Sequence, residues 1–370
     1  MKVLVTMGTR PEAIKMAPVV LALQARPDIF EVRVCLTGQH RELLDQVIAV
    51  FGLPVHHDLQ VMRPDQSIHD VTAAVLQGMR GVLEAEQPGV VLVHGDTTTT
   101  FAAALAAYYA RIAVGHVEAG LRTYRRYEPF PEELNRRMAD VLADYHYAAT
   151  EQARENLLRE GVDAGGIVVT GNTVIDALLD VSARPYAFGD AALDSLGRER
   201  RLILVTAHRR ESFGAPFESI CTALRALADR GDVDLIYPVH PNPNVRRTVE
   251  ARLSGVPHLH LVEPLEYLPF VHLLKKAALV LTDSGGLQEE APALGKPVLV
   301  MRDVTERPEA IAAGTARLVG TNADIIVAES NRLLDDAAAY AAMARAVNPF
   351  GDGRAAARIA DHLASVASHR

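Results

Sequence analysis

Twelve short runs of apolar, largely β-branched residues recur along the chain, and most are followed by a stretch with helical periodicity. The runs are almost continuously apolar, which is typical of parallel strands covered on both faces by helices. Strand–helix repetition favours right-handed βαβ units and open sheets, and therefore an α/β fold class. The predicted strands form two series: residues 2–6, 32–37, 90–94, 112–117, 145–149 and 167–170, then 202–206, 235–239, 259–262, 279–282, 297–301 and 317–319.

The two series indicate two domains. A chain of 370 residues exceeds the roughly 100–200 residues of an ordinary domain. A weakly patterned segment with one proline and two glycines, residues 183–199, separates the series. We therefore predict two Rossmann-like parallel-sheet domains facing a cleft, at residues 1–170 and 171–353. A last helix within residues 354–370 is compatible with packing on either domain, including as an addition to the first.

Composition excludes several classes of protein. The net charge of −8 argues against a protein that binds nucleic acid or an acidic membrane. Cys35 and Cys221 stand singly in apolar segments, as reduced core cysteines of a cytosolic protein do. The first residues are expected to form a strand rather than a signal peptide, and no apolar run approaches the roughly 20 residues of a membrane span. We therefore expect a cytoplasmic location.

NAD, ATP and zinc are disfavoured by the absence of their motifs. No GxGxxG fingerprint follows the first strand and no GxxxxGK[ST] loop occurs, which counts against NAD and ATP. The histidines lack CxxC or HExxH spacing, which counts against a zinc site. We expect neither a cofactor nor a metal.

The stretch Asp283-Ser-Gly-Gly-Leu-Gln-Glu-Glu-Ala-Pro292 is the strongest local signal for a ligand. It follows a predicted strand and opens a helix, and its small residues allow a ligand to approach the backbone amides. A helix N-terminus carries about half a positive charge, which suits a phosphate. Glu290 lies one turn further on, where a ribose offers two hydroxyls. The stretch predicts a socket for a nucleoside diphosphate.

Further polar residues follow other predicted strands, at the edge where open parallel sheets bind ligands. Arg10 and Lys15 flank the first helix start, where they either face a diphosphate or belong to a capped, exposed turn. Asp96 follows residues 90–94 and is either an acid of the site or an N-cap. Glu118 lies between small residues at the end of residues 112–117, where an acid rarely serves packing.

A later helix start and two histidines complete the candidates. Glu132 and Arg136 are four residues apart and so share a helix face, either as functional groups or as an ordinary surface pair. His208, followed by two arginines, and His240 each come just after a predicted strand. Each is either a site residue or a structural histidine whose hydrogen bonds are satisfied.

Several motifs in order carry a resemblance to a known family. The motifs are Gly8-Thr-Arg-Pro-Glu12, Thr37-Gly-Gln-His40, His94-Gly-Asp-Thr97, Glu118-Ala-Gly-Leu-Arg-Thr123, Pro129-Phe-Pro-Glu-Glu-Leu-Asn-Arg136, His208-Arg-Arg-Glu211, Asp283-Ser-Gly-Gly286 and Thr305-Glu-Arg-Pro-Glu309. With these motifs in this order, the chain from about residue 3 to residue 320 resembles the non-hydrolysing UDP-N-acetylglucosamine 2-epimerases.

The resemblance implies a fold like that of GT-B glycosyltransferases, a homodimer, and interconversion of UDP-GlcNAc with UDP-ManNAc through a 2-acetamidoglucal intermediate. Leu265 departs from relatives that have a polar residue there, a change that a backbone contact tolerates. The residues matching family positions are, for catalysis, Asp96, Glu118, Glu132 and His208; for substrate binding, Arg10, Lys15, Arg136, Leu265, Phe270, Ser284, Gly285, Gly286, Glu290 and Arg307; and, for a regulatory site taking a second UDP-GlcNAc as activator, Gln39, Gln66 and His240.

This chemistry requires several acid/base groups. The C2–H of the sugar is not acidic until the C1–O bond to UDP breaks, and inversion then needs proton transfer on both faces of the ring. Three other readings remain: a hydrolysing epimerase that releases ManNAc and UDP, a GT-B glycosyltransferase, and a non-catalytic UDP-sugar sensor. A transferase needs an acceptor site, for which the sequence has no motif, and a sensor does not need the array of acids.

Overall fold

The computed structural model describes residues 1–38, 41–63 and 65–368, and it divides into two compact units. The first unit comprises residues 1–177 and 350–370, and the second comprises residues 178–349. The first unit is discontinuous in sequence because the end of the chain returns to it. The fold class predicted from sequence, two parallel-sheet α/β domains, is confirmed.

Among the described residues, the first unit contains a parallel sheet of seven strands in the order β3-β2-β1-β4-β5-β6-β7. The strands are β1 (Lys2–Met7), β2 (Glu31–Leu36), β3 (His57–Asp58), β4 (Val90–His94), β5 (Ala113–Ala119), β6 (Tyr145–Ala148) and β7 (Ile167–Val169). The connecting helices are α1 (Arg10–Gln24), α2 (Arg41–Phe51), α3 (Ile68–Glu86), α4 (Thr98–Tyr109), α5 (Glu132–Leu142), α6 (Glu151–Arg159) and α7 (Thr173–Ala183), and the boundary between the units falls within α7.

The second unit contains a parallel sheet of six strands in the order β10-β9-β8-β11-β12-β13. Its strands are β8 (Arg201–Thr206), β9 (Val233–Pro238), β10 (Leu259–Val262), β11 (Leu279–Thr282), β12 (Val298–Val300) and β13 (Ala316–Leu318). Its helices are α8 (Ala191–Ser195), α9 (Ala215–Ala228), α10 (Pro243–Leu253), α11 (Tyr267–Lys276), α12 (Gly285–Ala293), α13 (Pro308–Ala312), α14 (Ala323–Asp335) and α15 (Ala337–Ala344).

The central strands are buried on both faces, which explains their continuous apolar sequence. All five residues of β4 and all four of β11 are buried. All twelve predicted strands are present, with ends that shift by at most two residues. β3 escaped prediction because two polar residues carry no apolar run.

The last helix, α16 (Ala355–Ser368), packs in the first unit. Asp176 accepts hydrogen bonds from the backbone amides of Ala355 and Ala356, at 3.2 and 2.9 Å. Further along, His362 Nδ1 lies 3.0 Å from the Tyr147 hydroxyl. Within the described part of the chain, no helix is long and apolar enough to cross a membrane.

The strand order reverses once in each unit, and this reversal locates the candidate site. In the first unit β1 lies between β2 and β4, and in the second β8 lies between β9 and β11. Ligands of open α/β sheets bind beyond the carboxyl ends of the strands at such reversals. The segments that follow β1, β4, β8 and β11 carry four of the motifs singled out above.

Candidate active site

The turn after β1 is held by a buried carboxylate. Glu12 is 3% exposed and accepts hydrogen bonds from the amides of Gly8 (2.6 Å) and Thr9 (2.8 Å). It also accepts from the hydroxyls of Thr97 and Thr100 at the start of α4. Because one side chain joins the turns after β1 and β4, the first turn of α1, which carries Arg10, has a fixed position beside the turn that carries Asp96.

Glu118 is the most strongly constrained of the candidate acids. Its Oε2 accepts hydrogen bonds from Lys15 and from Asn172 Nδ2 (3.0 Å), and it lies 3.3 Å from His94 Nε2. Burial raises the pKa of Glu118, but the charges and hydrogen bonds of Lys15 and His94 outweigh that effect and hold the pKa well below its usual range. Glu118 is therefore ionised at neutral pH.

The backbone of Glu118 is also unusual. Its φ of +65° lies in the left-handed region, and the pairing of β5 with β6 shifts register between Val117 and Ala119. A non-glycine residue in this conformation costs on the order of 1–3 kcal/mol and is often found at functional sites. At this point of the chain the Glu118 side chain bonds with Lys15 on α1.

Asp96 pairs with α5. Arg136 Nη2 donates to Asp96 Oδ2 at 2.5 Å, and Asn135 Nδ2 donates to the Asp96 carbonyl at 3.1 Å. Arg136 also lies 3.5 Å from Glu133. Of the two alternatives for Glu132 and Arg136, the described residues do not show the ordinary i,i+4 surface pair, because Arg136 pairs with Asp96 and Glu133 instead. Among the residues that the structure describes, none forms an ion pair or hydrogen bond with the Glu132 side chain, which is half-buried at the start of α5.

In the second unit, Asp283 fixes the turn after β8. Its side chain is fully buried, and its Oδ2 accepts from the amides of His208 (2.6 Å) and Arg209 (2.7 Å). Thr282 Oγ1 accepts from the Ser284 amide at 2.9 Å. The Ser284 amide therefore has an intramolecular acceptor, and the assignment of Ser284 to substrate binding stays a prediction. The amides of Gly285 and Gly286, in the first turn of α12, have no intrahelical acceptor.

The neighbouring carboxylates Glu289 and Glu290 differ in environment. Glu289 is 3% exposed and bonds with Arg307, whereas Glu290 is half-buried. Glu290 Oε1 lies 3.2 Å from the position that a Cβ on Gly286 would occupy. Glu290 is thus beside the first-turn amides, where the sequence assigns it to a ribose.

His208 and His240 lie against each other. Their rings stack with centroids 5.1 Å apart and an interplanar angle of 15°, and His208 Nδ1 is 3.6 Å from Asp283 Oδ1. Burial lowers the pKa of His208 and, together with the charges of His240 and Arg209, outweighs the opposing charge of Asp283. The neutral imidazole is the favoured form at neutral pH.

The remaining predicted residues lie apart from these groups in sequence. Leu265 precedes α11 and Phe270 lies within it, and both are half-buried. Gln66 accepts from the Arg63 amide (2.6 Å) and donates to the Val61 carbonyl (2.8 Å), which shapes the turn before α3. Gln39 falls outside the described residues.

Two residues near Glu118 were not singled out from sequence, His94 and Asn172. His94 is the last residue of β4 and Asn172 follows β7, and both are buried. The rule that polar residues at the carboxyl ends of parallel strands belong to the site would have found them if it had been applied to every strand.

Comparisons with known proteins identify the family of the chain. The family model for UDP-N-acetylglucosamine 2-epimerase matches residues 3–364. A UDP-N-acetylglucosamine 2-epimerase from Yersinia pestis is 56% identical over 97% of each chain. A solved structure from Listeria monocytogenes superposes with a TM-score of 0.95, at 49% identity, over 100% of this chain and 97% of the other. The crystal structure of UDP-GlcNAc 2-epimerase from Neisseria meningitidis bound to UDP-GlcNAc gives a TM-score of 0.89 at 48% identity, covering 99% of this chain and 100% of the other.

These matches span nearly the whole chain, and both parallel-sheet units are included. The resemblance first carried by short motifs is confirmed at the level of the family. The chain belongs to the UDP-N-acetylglucosamine 2-epimerase family.

Proposed function

We propose that this protein interconverts UDP-GlcNAc and UDP-ManNAc by eliminating and re-adding UDP, without releasing the free sugar. The observation that carries the proposal is the pair of carboxylates at the ends of adjacent strands β4 and β5. Glu118 is held ionised by Lys15, and Asp96 is bonded to Arg136. Family membership, and a relative whose structure holds UDP-GlcNAc, support the substrate class.

The proposed reaction has two steps, elimination of UDP and its re-addition. The C1–O bond breaks and UDP leaves with the bonding electrons, while a carboxylate takes the C2 proton and a C1–C2 double bond forms. UDP then adds back at C1 as C2 receives a proton on the opposite face. The route needs acid/base groups on both faces of the ring. We assign this work to Asp96, Glu118 and Glu132.

The departing UDP requires positive charge and hydrogen-bond donors. We assign this role to Arg10, Lys15 and the amides of Gly285 and Gly286. His208 is the remaining proposed catalytic group, and its neutral form is suited to exchanging a proton near neutral pH.

The rest of the nucleotide is assigned to the second unit. Glu290 would accept from the ribose hydroxyls, and Phe270 with the backbone near Leu265 would contact the uracil. Arg307 and Arg136 would contact the substrate as well.

Two finer features accompany the proposal. We propose a homodimer, which analytical ultracentrifugation of the purified protein tests directly. We also propose that a second UDP-GlcNAc acts as an activator through Gln39, Gln66 and His240. Sigmoidal dependence of the rate on UDP-GlcNAc, and its loss in Gln66→Ala, is the expected signature.

NMR of UDP-GlcNAc incubated with the enzyme in deuterated water tests the main proposal. We expect UDP-ManNAc to accumulate to an equilibrium ratio and deuterium to appear at C2 of both sugars. Free ManNAc with stoichiometric UDP would instead identify a hydrolysing enzyme. Binding of UDP-GlcNAc without any exchange at C2 would identify a sensor.

A further inference from the structure

A fully buried histidine in the first unit has two acceptors at once. His116, on β5, is 0% exposed. Its Nδ1 lies 2.6 Å from Asp140 Oδ1, and its Nε2 lies 2.7 Å from the carbonyl oxygen of Gly95. A carbonyl and an ionised carboxylate only accept, whereas a neutral imidazole has a single N–H. Both contacts are hydrogen bonds only if His116 carries a proton on each nitrogen.

Asp140 extends this network. Its Oδ2 accepts from Arg122 Nη2 at 2.7 Å and from the Gly120 amide at 3.3 Å. Arg122 in turn pairs with Glu160 at 2.8 Å. Two positive and two negative side chains thus alternate, so each buried charge has an opposite partner. Such compensation is what makes buried charges tolerable.

The network connects the segments that carry the three candidate acids. Gly95 directly precedes Asp96, and Gly120 comes two residues after Glu118. Asp140 lies on α5, the helix that begins at Glu132. A single buried ring and its carboxylate partner therefore fix the turn after β4, the turn after β5 and the helix that follows them.

We propose that doubly protonated His116 is a positioning residue for epimerisation, holding the segments of Asp96, Glu118 and Glu132 in their relative geometry. The inference rests on the proposed function. His116 touches no substrate because it is fully buried, and it acts through the Gly95 carbonyl and Asp140.

The charges around the ring set the pH dependence. Burial lowers the pKa of His116, but the charge and hydrogen bond of Asp140 and the hydrogen bond of Gly95 outweigh burial and the opposing charge of Arg122, so its pKa is raised. For Asp140 the burial effect has the opposite sign and raises the pKa, but the charges and hydrogen bonds of His116 and Arg122 outweigh it, so the pKa of Asp140 is lowered. From β6, His146 Nε2 donates to the Asp140 carbonyl at 2.8 Å. The network is intact at neutral pH and is lost when alkaline pH removes one ring proton.

The first test is kinetic and uses His116→Gln and Asp140→Asn. Misplacing catalytic groups by about 1 Å can cost about 100-fold, so we expect His116→Gln to lower kcat roughly 10- to 100-fold. KM for UDP-GlcNAc should stay within about threefold of the wild-type value, because the groups proposed to hold UDP lie on α1 and in the second unit. In the wild type, kcat should fall at alkaline pH as His116 loses a proton. In Asp140→Asn this fall should occur at lower pH, because the imidazolium loses its counter-charge. In His116→Gln the part of the fall that is due to His116 should be absent.

The control variant is His362→Gln. His362 is another histidine of the first unit and bonds to Tyr147. Its replacement should lower the melting temperature while leaving kcat and the pH profile unchanged. A purely structural His116 would behave in the same way, with stability reduced and both kinetic readouts preserved, and that result would overturn the proposal.

The second test needs no catalysis. In an NMR spectrum of wild-type protein with ¹⁵N-labelled histidine, His116 should show protons on both ring nitrogens at pH 7. The His116 signal is assigned by its absence in His116→Gln. If that variant does not fold, the signal is assigned by its shift in Asp140→Asn. A single protonated nitrogen would refute the inference. If the wild type shows no C2 exchange, the proposed function fails and the positioning role fails with it. If the wild type exchanges and His116→Gln exchanges equally fast, the inference alone fails.

Discussion

Replacing Lys15 with methionine should destabilise the first unit, because it leaves a buried carboxylate without its ammonium partner. The side chains of Lys15 and Glu118 are 18% and 10% exposed. Removing one partner of a buried ion pair typically costs about 3–5 kcal/mol. Glu118 keeps Asn172 at 3.0 Å and His94 at 3.3 Å. We therefore expect the lower end of the range, about 3 kcal/mol of unfolding free energy at pH 7.

The loss should depend on pH with a definite sign. The pKa of Glu118 is depressed in the folded protein from 4.5. Its stabilising contribution is present above that unfolded-state value and is lost as the pH falls through the folded-state pKa. In Lys15→Met the depression is smaller. The difference in stability between the two proteins should be full at pH 7 and should shrink as the pH falls below about 4.5.

Urea unfolding at several pH values, with a double-mutant cycle, measures both effects. In a Glu118→Gln background the buried charge is absent, so Lys15→Met should cost at least about 1.5 kcal/mol less than in the wild type. Lys2→Met is the matched control, since Lys2 is 26% exposed and pairs with Glu86 at 3.1 Å. It should cost less than about 1 kcal/mol. Equal costs of Lys15→Met in both backgrounds, or a cost independent of pH, would refute the electrostatic reasoning.

Three further outcomes test the site and its frame. Asp96→Asn or Glu132→Gln should lower turnover by about 10²–10⁴-fold while UDP affinity, measured by calorimetry, persists; near-normal turnover in both would contradict the acid/base assignment. Glu290→Ala should weaken UDP binding by about 10- to 100-fold, the worth of hydrogen bonds to a charged group, and an unchanged dissociation constant would remove it from the socket. Gly8→Ala should lower the free energy of unfolding by about 1–3 kcal/mol, measured by thermal unfolding, because its Cβ would lie 2.3 Å from the hydroxyl oxygen of Thr37. The control is Gly81→Ala, whose Cβ would have no atom within 4 Å and should stabilise α3 by up to about 1 kcal/mol.

The two sheets could be predicted from sequence because their central strands are buried on both faces. Burial imposes a continuous apolar run, as in β4 and β11, and such a run stands out against amphipathic helices. β3 consists of His57 and Asp58, whose pairing with the end of β2 leaves no compositional trace. The position of the C-terminal helix also needed the structure, because its apolar face fits either sheet by pattern alone.

The site was predictable as a set of positions but not as a set of contacts. Residues after parallel strands converge by topology, which is why Asp96 and Glu118 could be named. The hydrogen-bond and ion-pair partners of these two acids could not be predicted from the sequence. Lys15 and Glu118 are 103 residues apart, and Arg136 bonds across 40 residues to Asp96 rather than to Glu132 at i−4. Side-chain reach in three dimensions decides these pairs, and sequence spacing reports only neighbours on the same helix.

The backbone conformation and the burial of Glu118 are explained by a functional requirement rather than by packing. A left-handed φ would be least costly for glycine, and nearby Gly120, at φ +85°, shows that glycine is used here where backbone contact requires it. Placing a glutamate in that conformation costs on the order of 1–3 kcal/mol, and burying its charge costs more unless it is paired. Three polar partners surround the carboxylate and offset the second cost. A residue selected only for packing would need neither the strained backbone nor the surrounding partners, so the arrangement is accounted for by a requirement for an ionised carboxylate at this point.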